Sequence, residues 1–155
     1  MRLLCLLACL AACDSDDPPG MDGGIDAGGE FIVVEEISVP VSSGTVASAN
    51  ELLAGVTYRL RASGTYNAAQ DTFGDAEYIG FTGTPADTVS GVDVGLAVND
   101  ITVDGTRTPK WGAYRDSHVY EVDFVGNGTP IVAQLHDATY GNNTGSLTLT
   151  ILRRR

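Results

Sequence analysis

Residues 56–63 read VTYRLRAS, with Val56, Tyr58, Leu60 and Ala62 on one side and Thr57, Arg59, Arg61 and Ser63 on the other. Only an extended strand has a side-chain period of two, so this stretch fits a half-buried strand and cannot supply the stripe of an amphipathic helix. The alternation returns in 117–124, where Tyr120, Val122 and Phe124 oppose Glu121 and Asp123, and near the end, where Leu147, Leu149 and Ile151 oppose Ser146, Thr148 and Thr150. Residues 31–41, 75–81, 92–98 and 130–136 are further strand candidates. Turn-forming pairs and triplets separate them: Ser43-Gly44, Thr84-Pro85, Asp104-Gly105, Gly126-Asn127-Gly128 and Gly141-Asn142-Asn143. The only helix-like piece is the short run 47–53. About eight strands in roughly 125 residues, with no alternating helices and no internal repeat, predict an all-β chain folded as an antiparallel β-sandwich. A domain of that size needs neither metal nor disulfide merely to fold.

The first thirty residues obey a different pattern. All three cysteines, Cys5, Cys9 and Cys13, fall within the first 13 positions, which excludes a disulfide framework or a thiolate zinc site in the sandwich. Arg2 followed by the apolar run 3–10 reads as a processing leader, far short of the ~20 residues a spanning helix requires. The run closes on Leu10-Ala11-Ala12-Cys13, which resembles the bacterial lipobox: an aliphatic residue, two small residues, then the cysteine whose sulfur takes the diacylglycerol. That resemblance implies a signal peptide over 1–12, lipidation at Cys13 and attachment to a cell-envelope membrane, at the outer membrane, the cell surface or a periplasmic face. An ordinary secretory signal cleaved nearby is the alternative.

Residues 14–30, DSDDPPGMDGGIDAGGE, hold almost nothing apolar and are rich in Gly, Pro and Asp. With Cys13 they are expected to form a flexible acidic tether over 13–30, reaching at most roughly 50–60 Å, with the folded domain spanning 31–155. The aspartates lack both the spacing and the flanking helices of an EF-hand. A formal net charge of −11 argues against a nucleic-acid partner, whose phosphates demand a basic face.

The most informative stretch is 136–151, HDATYGNNTGSLTLTI. It places a loop between two strands and lines that loop with oxygen: Asp137, Thr139, Asn142, Asn143 and Thr144. Calcium takes six to eight hard oxygen ligands in irregular geometry, and Gly141 and Gly145 permit the tight backbone such a cage needs. The same residue types also build a plain turn. The run Thr139-Tyr140-Gly141-Asn142-Asn143-Thr144-Gly145-Ser146, with its aspartate upstream and an alternating strand after it, resembles the calcium loop of the PA-IL-type galactose-binding bacterial lectins. Those are sandwiches of jelly-roll, galactose-binding-like type in which calcium contacts two sugar hydroxyls directly.

The resemblance implies calcium held by Asp137, by the carbonyl of Thr139 and by the side chains of Asn142 and Asn143, with Asp137, Thr139 and Asn142 also touching a carbohydrate. A further carbonyl would come from about Asn67 or Ala68, after YRLRASGTY (58–66), which is similar to a strand of that family. Two departures stand out. One residue separates Asp137 from Thr139 where the lectins have three, so Ala138 is an alternative carbonyl donor. In addition, the lectin loop that holds the sugar with histidine and glutamine has no clear match, since 67–74, NAAQDTFG, contains no histidine.

The remaining conspicuous residues read more plainly as structure. Trp111 suits the end of a sandwich better than a sugar platform. His118 and His136 lie in alternating stretches with no cysteine or second histidine beside them. Asp75, Glu77, Asp93, Asp100 and Asp104 read as loop or strand-face acids. Arg153, Arg154 and Arg155 form a solvated tail, with binding to phospholipid headgroups as the minor alternative. No nucleophile elbow, P-loop or zinc-protease motif occurs, so the expectation is a non-catalytic, lectin-like lipoprotein. The alternatives are an envelope scaffold, in which calcium only stiffens a loop or is absent, and an enzyme or enzyme subunit.

Overall fold

The computed structural model describes residues 30–42, 44–81, 94–99 and 107–155. The leader, Cys13, the tether up to residue 29, and Asp93, Asp100 and Asp104 lie outside the described residues.

The fold is all-β and antiparallel, as the alternation predicts, and the strands follow one another along the chain. They are β1 (Phe31–Pro40), β2 (Val46–Glu51), β3 (Thr57–Ser63), β4 (Tyr66–Ala69), β5 (Thr72–Gly74), β6 (Ile79–Phe81), β7 (Gly95–Val98), β8 (Val119–Val125), β9 (Pro130–His136) and β10 (Ser146–Arg154). Sheet A has the order β1-β10-β3-β8, sheet B β2-β9-β7 and sheet C β4-β5-β6. The architecture is a β-sandwich whose layers share one apolar core.

Register explains the core. Leu149 pairs with both Ile37 and Ala62, and Ala62 with Tyr120, so four inward side chains form one row across sheet A. Leu147, Leu149 and Ile151 of β10 are fully buried against Ile131, Ala133 and Leu135. Burying each large aliphatic contributes roughly 1.5–3 kcal/mol, so the alternating stretches supply most of the drive to fold. The opposite parity faces outward. There Arg59 lies 3.2 Å from Asp123 and Arg61 2.7 Å from Glu121 across β3 and β8.

Two local expectations need correction, and one hairpin comes in addition to the strand candidates. The run 47–53 is strand and loop, not helix. β2 pairs with β9 through Val46↔Ala133 and Ala47↔Val132, and Glu35 accepts the N–H groups of Ala49 (2.7 Å) and Asn50 (3.1 Å). Those tertiary partners outweigh the mild helix propensity of two alanines. The stretch 67–74 contains a hairpin, β4–β5, turned at Asp71 with φ 60°. Finally, 75–81 is strand only from Ile79 onward, because the Asp75 side chain takes the N–H groups of Glu77 and Tyr78 and ties 75–78 into a turn.

A bulge between Val33 and Glu35 lets β1 change parity, so that Val33 faces out while Glu35 reaches β2. Because Phe31 pairs with Arg154 and Pro40 with Ser146, the entry of the chain and the 137–145 loop sit at opposite ends of sheet A. The separation is about 30 Å for ten residues of strand.

Candidate metal and ligand site

β9 delivers Asp137 to the end of sheet B, and the loop folds at once. The Asp137 Oδ1 accepts the Thr139 N–H (2.9 Å), and Tyr140–Asn142 then make a single 3-10 turn closed by Asn143 N–H to the Tyr140 carbonyl (3.1 Å). Tyr140 donates its hydroxyl back to the Leu135 carbonyl (2.8 Å), which pins the loop to the strand it left. Thr144 pairs with Asn67 in both directions, at 2.8 and 3.1 Å, joining the loop to β4. Gly145, at φ +107°, makes the reversal into β10.

At the centre stands Asn143, only 4% exposed. Its amide nitrogen donates to the Val41 carbonyl (3.0 Å) and to Asp137 Oδ2 (2.8 Å). Its Oδ1 is buried and has no hydrogen-bond partner. Tyr66, one residue from the Asn67–Thr144 pairing, carries a second buried oxygen without a partner, with its ring packed where Gly74 has no side chain. Burial, then the charges of Asp137 and Asp75, push that phenol far above its ordinary range, against a smaller opposing pull from Arg107. Buried acceptors are nearly always satisfied, so these two orphaned oxygens set the loop and its neighbour β4 apart from the rest of the described structure.

The structure therefore brings together Asp137, the Thr139 backbone and Asn143, and links them to Val41 and Asn67. Asn142 and the Thr139 side chain stay exposed at the tip, outside this network. Among the described residues no three His, Cys, Asp or Glu gather into a metal-holding group. A shell here would have to rest on one carboxylate, amide oxygens and carbonyls, which is a donor set suited to a hard cation.

Sequence reasoning missed a second polar cluster. Asp75 is fully buried, and its Oδ2 meets His118 Nδ1 (2.9 Å) and the Tyr120 hydroxyl (2.7 Å). Burial, followed by the hydrogen bond to Asp75 and its charge, raises the Tyr120 phenol. Glu77 and Arg107 form a buried pair at 2.8 Å, with Glu77 also taking the Trp111 N–H (2.6 Å) and Arg107 donating to the Val94 and Ala76 carbonyls. Trp111 donates its indole N–H to the Leu96 carbonyl and is buried, as a sandwich plug should be. Their partners lie 13–45 positions away in sequence, so no local spacing announces them. An aspartate-fixed histidine can serve as a base, but no hydroxyl or thiol is hydrogen-bonded to the other ring nitrogen of His118 among the described residues. The cluster ties the 75–78 turn to β8 and to the segment that carries Trp111.

No family model, curated protein or solved structure matches the chain.

Proposed function

We propose that the chain is a cell-envelope lipoprotein, attached through Cys13, whose sandwich binds calcium and through it a carbohydrate, without catalysis. The observation that supports this reading is the junction of Asp137, Asn143 and Val41, in which the Asn143 amide nitrogen meets the carboxylate and its oxygen is buried without a partner. The nitrogen and oxygen of an asparagine amide exchange places by rotation, so the loop offers either an NH2 between two oxygens or an oxygen among oxygens. The second arrangement is repulsive alone and cohesive around a cation.

The ion would be held by the Asp137 carboxylate and the Asn143 amide oxygen, with Thr139 or Ala138 supplying a carbonyl and Asn142 a side-chain oxygen. Calcium bound there supplies coordination positions that exchange water for vicinal hydroxyls. Asp137, Thr139 and Asn142 orient the sugar: the first accepts hydroxyl protons, and the other two stand exposed at the rim.

Calorimetric titration of calcium into the wild-type chain and into Asp137→Ala tests the reading. The expected result is binding in the first and a loss of roughly a hundredfold or more in the second, since the only carboxylate of the shell is removed. Equal affinity overturns the site. A glycan array with and without calcium then decides the ligand: calcium binding with no calcium-dependent glycan signal leaves the ion as a stiffener of the loop.

A further inference from the structure

We propose that the end of sheet A where the chain enters is a membrane-docking surface, taking the phosphate-bearing headgroups of an anionic phospholipid bilayer. Phe31 opens β1 and pairs with Arg154 on the outward face. The guanidinium groups of Arg59 and Arg154 lie 4.4 and 5.6 Å from the centre of the Phe31 ring. Together with Thr57 and Asp123 these residues line a cavity of ≈ 230 Å³. Val33 and Val125, each 60% exposed, extend its apolar rim.

The charges at this end differ from those of the molecule. Arg59 is held by Asp123 (3.2 Å) and Glu121 (3.6 Å), Arg61 by Glu121 (2.7 Å), and Arg155 by Glu30 (2.9 Å). Arg153 and Arg154 are exposed and form no ion pair among the described residues; Arg154 lies on the outward face with Phe31, and Arg153 on the other face of β10, in register with Tyr58. With exposed Glu36, which shares a row with Arg61 and Glu121 across Thr150, five arginines stand against four carboxylates at this end, on a chain whose net charge is −11. Solubility does not call for a basic end on an acidic protein. Guanidinium groups stacked at an aromatic ring, with exposed valines nearby, are what a bilayer interface accommodates: apolar side chains sink to the acyl boundary and the guanidinium groups stay at the level of the phosphates.

Position selects the occupant. Sixteen residues separate Cys13 from Glu30, and the Arg155 N–H donates to the Glu30 carbonyl (3.0 Å), clasping the entry point beside the cavity. An acyl-bearing Cys13 keeps a bilayer within reach of this end of the sheet and raises its effective concentration there. The inference rests on the lipid-anchor part of the proposed function. The 137–145 loop, at the other end, stays turned away.

Vesicle co-sedimentation of the full-length chain carrying Cys13→Ser, in EDTA and low salt, tests the surface without help from an acyl chain or from calcium. The apolar leader is common to every variant and cancels. Phosphatidylcholine vesicles with and without phosphatidylglycerol are compared. Partition onto the anionic vesicles is expected to be about tenfold stronger, and Arg153→Gln and Arg154→Gln, both exposed and harmless to the fold, are each expected to weaken it about fivefold. Equal partition onto both vesicles overturns the proposal, as does indifference to the two arginines. Displacement by millimolar inorganic phosphate at constant ionic strength also overturns it, in favour of a free-anion site. Binding that emerges only when Asp14, Asp16, Asp17, Asp22 and Asp26 are changed to Asn assigns the surface to the chain's own acidic stretch instead. Asp137→Ala leaves the partition unchanged, which separates failure of the calcium loop from failure of this surface.

Discussion

Asp75 shows how a single residue governs its surroundings. Fully buried itself, it accepts the N–H groups of Glu77 (2.8 Å) and Tyr78 (2.7 Å) on one oxygen and meets the half-buried His118 and the buried Tyr120 on the other. Asp75→Ala strands the buried Tyr120 hydroxyl and two backbone donors, so a loss of about 3–5 kcal/mol is expected by urea unfolding. A cost below about 1 kcal/mol would mean that the cluster does not hold the turn. Nothing around Asp75 in the sequence distinguishes it from a surface acid, because its side-chain partners are His118, just before β8, and Tyr120 of β8, 43 and 45 positions later. Asp137 was easier to read. Its interactions with Thr139 and Asn143 span 2 and 6 residues, and spacing that short survives in the sequence as a motif. The Val41 carbonyl, 102 positions from Asn143, could not be read that way. The same holds for the orphaned Asn143 oxygen, which exists only because the loop closes over it.

Among the elements, β1 shows where alternation is informative and where it fails. The inward row of Ile37 and Val39 follows from period two, but the bulge near Val34 reverses parity and sends Glu35 across to β2. Glu35 accepts the N–H groups of Ala49 and Asn50 and the Asn50 side-chain amide (2.9 Å). Slight burial works to raise this carboxyl, yet these hydrogen bonds outweigh it and hold it below its ordinary 4.5. A group depressed on folding stabilises the protein above its unfolded value, and that contribution fades as the pH drops through the folded value. Thermal unfolding of Glu35→Gln beside wild type should show a deficit for the variant at pH 7 that shrinks steadily below about pH 4.5. A deficit independent of pH would remove the charge from the account. β2 was misread for a related reason: its residues are helix-tolerant, and only this clamp and β9 make them a strand. The long strands β3, β8, β9 and β10 were legible because each buries a full alternating face. In sheet C only β6 falls within a strand candidate, 75–81; β4 and β5 were not legible, since so short a run cannot display a period.

For the molecule as a whole, the four-stranded sheet is not built in the order in which its strands are made. β10 lies between β1 and β3, and Leu149 contacts both Ile37 and Ala62. Removal of residues 146–155 is expected to yield a chain with no cooperative thermal transition and exposed apolar surface that binds a hydrophobic dye; a sharp transition in the truncated chain would show that β1 and β3 close without it. The arrangement also bears on how the chain is born. Until β10 has been made, β1 lacks its hydrogen-bonded neighbour in sheet A and the sheet has a gap at its middle, so premature folding has no stable product. Closure of sheet A is thus postponed until β10 is available, and the strand order by itself imposes the delay.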